Sequence, residues 1–207
     1  MRLSEQAYYL IKEKITTLEM PPLSVVDEQS LREELGLGRT PIREALHRLS
    51  AEGLIIIAPR RGMFVAEISI TDLAKIFEVR MAMEGLCARL AAQRITQKQI
   101  AQMEMTLADL ETVTEGDTKA LMRIDERFHN LLYQAADNEF LMYSLDRLHT
   151  LSMRLWHLVL NHLGDLRKAI DQHRDITAAL KAGDGDEAED LICQHITEFQ
   201  KQIKAVL

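Results

Sequence analysis

The stretch LREELGLGRTPIREALHRLSAEGLIIIAPRRGMFV, residues 31–65, decides how the first third of the chain folds. Its opening residues belong to a short helix, EQSLREEL, that Asp27 can cap and Gly36 can end. After the tight GLGR link, Thr40 is the expected cap of a third helix, PIREALHRLSAE. Pro41 then takes the first helical position, where a missing N–H costs nothing. LIIIA, PRRG and MFVAE follow: two short apolar runs around a Pro/Gly-containing turn, which reads as a hairpin. Upstream, residues 4–19 read as a helix stopped by MPPLS, with a short extended piece around Val25 and Val26. Three helices and a hairpin in under 70 residues form a winged helix-turn-helix.

That plan fits duplex DNA. A helix enters the major groove with its N-terminal residues at the base edges. Its free N–H groups and positive dipole end also suit a phosphate. Here that end carries Arg39, Thr40 and Arg43, while Ile42, Ala45, Leu46 and Leu49 face the core. Arginine's planar fork bonds guanine or phosphate with two N–H groups at once. Arg60 and Arg61 sit on the wing turn, where a flanking phosphate or minor groove is within reach.

Charge supports the same division. Residues 1–66 hold nine basic and nine acidic groups, whereas residues 67–207 carry a net charge of −7. Within the first part, residues 39–61 hold five arginines against Glu44 and Glu52, a local basic excess. All four prolines lie at or before Pro59, so the rest has few forced breaks. From Thr71 onward only helical patterns occur, at 71–93, 96–113, 118–136, 138–163, 165–182 and 185–205. Breaks are marked by Thr96, residues 115–117, residues 137–139, Gly164 and residues 183–186. The two expected domains are 1–68 and 69–207. No apolar run spans a membrane, and the two cysteines, Cys87 and Cys193, form no disulfide framework. A cytoplasmic location is the default.

The helical part places ionisable groups on apolar faces. Leu121, Ile124, Phe128, Leu132 and Ala135 share a face with Asp125 and His129. Leu166, Ile170, Ile176 and Leu180 share one with His173, and Ile192, Ile196, Phe199 and Ile203 share one with His195. A single histidine on such a face is ordinarily a hydrogen-bonded core residue. Three imidazoles and a carboxylate pointing inward from three helices instead make a divalent-metal set. Arg80 is a further interior charge, on the face of Leu73, Phe77, Glu84, Cys87 and Ala91. It is either half of a structural pair with Glu84 or an anchor for the carboxylate of a ligand. His149, Ser152 and Trp156 follow one stripe of the helix at 138–163 and are expected to line the same pocket, with core packing the simpler role for Trp156.

Residues 5–66, above all GRTPIREAL, EGL and PRRG with its following FV, closely resemble the DNA-binding domain of the GntR family of bacterial transcription regulators. The resemblance implies that Arg39, Thr40 and Arg43 contact DNA and that Gly62 sits at the wing tip. Some members carry an arginine where this chain has Gln29, which can still donate to phosphate or read adenine. Residues 71–205 resemble the all-helical effector domain of the FadR-type branch, called FCD, through IFEVRMAMEGLCARLAA, DERFHNLLYQAADN, DQHRDITAALKAGD and ICQH. That resemblance implies a metal held by Asp125, His129, His173 and His195, and it favours Arg80 as an effector contact.

The expected protein is mainly α-helical, a winged helix-turn-helix followed by a helical-bundle effector domain. It is expected to be a homodimeric repressor on a palindromic operator, responsive to a small organic acid that binds at the metal, Arg80, Ser152 and Trp156. Zinc is the first expectation for the metal, with nickel, manganese or iron as alternatives. The rival readings are a purely structural metal and a metal-dependent hydrolase.

Overall fold

Asp27 accepts a hydrogen bond from the Gln29 N–H at 2.9 Å, and Gly36 takes the left-handed conformation, with φ 64°. Helix α2 (Glu28–Leu35) therefore begins and ends where its cap residues dictate. In this computed structural model, which describes residues 1–69, 71–114, 116–159 and 166–206, it lies between α1 (Leu3–Thr16) and α3 (Arg39–Ala51). One expectation at α3 needs correcting. The cap is Gly38, so the helix starts before Thr40 and contains Arg39 as its first residue.

Strands β1 (Ile55–Ala58) and β2 (Gly62–Val65) pair antiparallel, from Ile55 opposite Val65 to Ala58 opposite Gly62. Residues 23–26 add a third edge: Val26 donates to the Met63 carbonyl at 2.8 Å, and Val25 bridges to Phe64. The core of this unit is one face of α1 (Ala7, Tyr8, Ile11, Ile15) against one face of α3 (Ile42, Ala45, Leu46, Leu49), closed by Leu54 and Val65. Both faces follow the i, i+3/i+4 rule that puts side chains on one stripe.

Downstream come α4 (Leu73–Arg94), α5 (Gln97–Ala108) with a closing 3₁₀ turn at Asp109–Thr112, and α6 (Thr118–Ala135). They are followed by α7 (Glu139–Val159), α8 (Leu166–Asp171), α9 (His173–Ala182) and α10 (Gly185–Val206). The single helix expected over 165–182 is two helices, parted at Gln172. No glycine or proline marks that break. The break expected at Gly164 lies outside the described residues.

The chain packs as two units. One is Met1–Thr71 with Thr150–Leu158; the other is Asp72–His149 with Val159–Leu207. Helix α7 thus contributes its second half to the first unit, where Leu151 packs on the core and Arg154 Nη2 donates to the Ala66 carbonyl at 2.5 Å. In the second unit α4 and α10 pack antiparallel: Phe77 meets Phe199, and Met81 meets Thr197 and Cys193. Gly85 makes this approach possible. A Cβ there would stand 3.1 Å from the Cys193 sulfur and from Glu189 Cγ. Among the described residues, no helix is long and apolar enough to cross a membrane.

Candidate metal centre and nucleic-acid interface

The N-terminal unit presents α3 by its first turn. Arg39, Thr40 and Arg43 are exposed there, with Glu28 of α2 3.9 Å from Arg39 and 3.8 Å from Arg43. Pairs this open contribute little and leave the guanidinium groups free to exchange partners. Gln29 is exposed, and its amide donates to Glu33 Oε1 at 2.9 Å. On the wing, Arg61 N–H donates to the Ala58 carbonyl at 3.0 Å, closing a turn with Pro59 second and Arg60 third. Arg60 has φ 64° and Gly62 φ 106°, so only the glycine sits there without strain. Arg60, Arg61 and Gly62 are all exposed. Arg48, part of the local basic excess, is engaged otherwise. Its guanidinium lies 3.6 Å over the Tyr8 ring and 3.3 Å from Glu52, which also accepts from the Tyr8 hydroxyl at 2.9 Å.

In the second unit Asp125 and His129 of α6, His173 of α9 and His195 of α10 converge, each buried, with one ligand atom apiece inside a span of 4.8 Å. Asp125 Oδ1 lies 3.8 Å from His129 Nε2, 3.6 Å from His173 Nε2 and 4.0 Å from His195 Nε2. Those gaps are too long for hydrogen bonds. They suit ligands each ~2.1 Å from one shared ion, which stand roughly 3–4 Å apart. His173 and His195 present Nε2 to Nε2 at 3.2 Å, a contact that requires a proton or a cation between the lone pairs. The donor set and its spacing fit a divalent metal.

The surroundings favour the ligand form of two of the histidines. Burial, reinforced by the other imidazoles, drives the His173 pKa well below 6.5. Burial, with His129 adding to it, takes His195 down to about 3. Both are neutral imidazoles at neutral pH, as metal ligation requires. Burial raises the Asp125 pKa, against the pull of His129 and Arg80.

A second layer orients the first. Glu84 Oε2 lies 3.0 Å from His129 Nδ1, and its Oε1 accepts from Arg80 Nε and Nη2 at 2.7 and 2.5 Å. Burial alone would raise the Glu84 pKa, but Arg80 and His129 outweigh it and hold the carboxyl well below the usual range. His195 Nδ1 donates to Gln172 Oε1 at 3.1 Å. Phe128 stacks on His173, with ring centroids 4.0 Å apart.

His149 also belongs here. Its Nε2 lies 3.8 Å from Asp125 Oδ2, and its ring is 4.6 Å from that of His129. Sequence reasoning expected His149 to line this pocket with Ser152 and Trp156, and it missed the contacts of Glu84 with His129 and of Gln172 with His195. Arg80 sits with the four ligands, while Ser152 and Trp156 are fully buried residues of the other unit.

Comparison with known proteins agrees with both halves. The model for bacterial regulatory proteins of the gntR family matches residues 3–65, and that for the FCD domain matches residues 75–198. The HTH-type transcriptional repressor RspR of Escherichia coli is 29% identical over 204 residues, which cover 98% of this chain and 90% of RspR. The solved structure of E. coli McbR/YncC superposes with a TM-score of 0.88 at 22% identity, covering 99% of this chain and 98% of that one. The metal-free FCD domain of TM0439 superposes with a TM-score of 0.53 at 16% identity, over 64% of this chain and 91% of that one.

Proposed function

We propose that this chain, which belongs to the gntR family of bacterial regulatory proteins and carries an FCD domain, is a repressor whose grip on its operator is set by a small organic acid at the metal centre. It is a DNA-binding transcription regulator, and the hydrolase weighed from its sequence drops out, because the family and its named relatives are regulators. The observation that carries the effector reading is the convergence of Asp125, His129, His173 and His195 beside the buried Arg80–Glu84 pair.

In this reading those four residues hold a divalent metal, zinc ahead of nickel, manganese or iron. The ion supplies a Lewis-acidic position for a carboxylate oxygen. Glu84 fixes the ring of His129, and Gln172 fixes that of His195. Arg80 is engaged with Glu84 through Nε and Nη2, so Nη1 remains its donor for the acid. His149, next to Asp125, lines the pocket, as its stripe on α7 with Ser152 and Trp156 leads one to expect. On the DNA side Arg39, Thr40 and Arg43 read the major groove, while Gln29, Arg60, Arg61 and Gly62 meet the backbone or the minor groove. The reading domain is residues 1–68 and the sensing domain 69–207.

A homodimer in the cytoplasm completes the proposal, placing two copies of α3 on palindromic half-sites about one turn, ~34 Å, apart. Val79 and Leu86, large apolar side chains two turns apart on the open side of α4, are available to such a contact. The acid shifts DNA affinity only by binding one state of the regulator better than the other.

Titrating small organic acids into metal-loaded and chelator-treated protein tests the effector site. Binding that needs the metal, and that is lost with His173→Ala, is expected. Acid binding indifferent to both would refute the site. A metal that is retained while no acid binds would leave the purely structural role in its place.

A further inference from the structure

Gln172 faces two ways. It accepts from the outer nitrogen of His195, and it also lines a separate cavity of about 620 Å³ between α8 and α10. The backbone carbonyl of Ala169, in the same wall, also accepts from the His195 ring. The cavity is therefore one side chain removed from the metal centre. Its size falls within the range of about 300–1,000 Å³ typical of small-molecule sites.

Its chemistry is distinct from that of the inner site. Lys168 and Lys201 line it, and so do Asp190 and Glu198, so its charge balances; Lys201 Nζ lies 3.8 Å from Glu198 Oε2, an open pair that a ligand of both charges can enter. Three glutamine amides, the Thr197 hydroxyl, the Cys193 thiol and Ala169 make up the remainder, and no aromatic or large aliphatic side chain contributes to the lining. An apolar ligand has nothing to bury against. A simple anion meets two carboxylates, and a simple cation meets two ammonium groups. A small molecule carrying both charges gains from both pairs.

We propose that this cavity is a second ligand site, for a small zwitterion of the free α-amino-acid class, and that its occupancy is felt at the metal through Gln172 and His195. The carboxylate pairs with the lysines and the ammonium group with Asp190 and Glu198. A ligand that draws on the Gln172 amide changes the hydrogen bond that orients His195, and such outer partners tune metal affinity. Coupling of this kind is reciprocal: the metal changes zwitterion affinity by the factor that the zwitterion changes metal affinity. The second half of the proposal rests on the metal reading above; the first does not.

Calorimetric titration of the full chain, stripped of metal by chelator, with a panel of free α-amino acids tests the site, with the dianion succinate and the dication putrescine as controls that each carry one sign of charge. At least one amino acid is expected to bind while both controls fail. Lys201→Gln and Glu198→Gln, both on the open face of α10, should each weaken it roughly tenfold. No binding up to ~10 mM, or binding indifferent to both substitutions, would overturn the site. Chelator competition, with and without the amino acid, reads the coupling. A shift in metal affinity of roughly fivefold, absent in Gln172→Leu, is expected. An unchanged metal affinity would overturn the coupling. Failure to bind any metal would count against the metal reading alone, because the amino-acid titration stands without it.

Discussion

Glu84 touches His129 with one carboxylate oxygen, at 3.0 Å from Nδ1, and holds Arg80 with the other. One buried carboxylate thus stands between a candidate ligand ring and Arg80, whose charge it neutralises. Glu84→Gln should lower metal affinity roughly 10- to 100-fold, because outer partners orient the ligand ring. It should also destabilise the fold by ~3 kcal/mol or more, since Arg80 would remain buried without its counter-charge. Chelator competition and denaturant melts separate the two effects. Wild-type metal affinity in a folded Glu84→Gln variant would remove the positioning role.

The pH response of the metal-free protein follows from the histidines. His195 titrates at about 3 and His173 well below 6.5, because burial disfavours the imidazolium. In the unfolded chain both titrate near ~6.5. As pH falls the unfolded chain therefore takes up protons first, and stability drops. It is fully present above pH ~6.5 and is lost progressively toward pH ~3. Metal affinity falls as pH nears the folded pKa of His195, about 3, where protons begin to compete for that nitrogen. Melting curves from neutral to mildly acidic pH check this, and a flat profile would contradict the buried neutral assignment.

Arg43→Ala should weaken operator binding by ~1–3 kcal/mol and relax the base preference at one position, with the melting transition unchanged. Arg61→Ala, on the wing, should weaken all sequences alike and reduce the salt slope by about one. Binding measured across a salt series, on operator and on random duplex, distinguishes the two. A salt-independent affinity would argue against phosphate contacts altogether.

Arg60 offers a test in which stability and function part. Its φ of 64° costs an arginine roughly 1–2 kcal/mol that a glycine does not incur. Arg60→Gly should raise the melting temperature slightly while lowering DNA affinity. A variant that is both less stable and equally tight on DNA would show that the wing arginine serves the turn and not the duplex.

Much of this was legible in the chain itself. Asp27, Gly36, the hairpin runs and the apolar stripes act locally, so their spacing is enough to read them. The convergence of Asp125, His129, His173 and His195 was legible for a related reason: each interrupts an otherwise apolar face, and helical period puts that interruption inside. Relationships across helices were harder. His149 looks like one polar residue among several on α7 until Asp125 is seen beside it. Gln172 carries no helix-breaking chemistry, so neither the break there nor its bond to His195 has a sequence signal. Thr40 misled because it is a good cap residue, whereas the chain caps this helix two residues sooner, at Gly38.

The second half of α7 has a practical consequence. Leu151 packs on the winged core, and Arg154, which burial takes down to a pKa of about 10, holds the Ala66 carbonyl. The reading head is therefore not a self-sufficient cassette that can be cut after residue 68 and grafted onto another sensor. A fragment of residues 1–68 should melt earlier than the same unit in the full chain, because it lacks the plug that residues 150–158 supply. Exchanging heads between relatives would require that nine-residue segment to travel with its own wing.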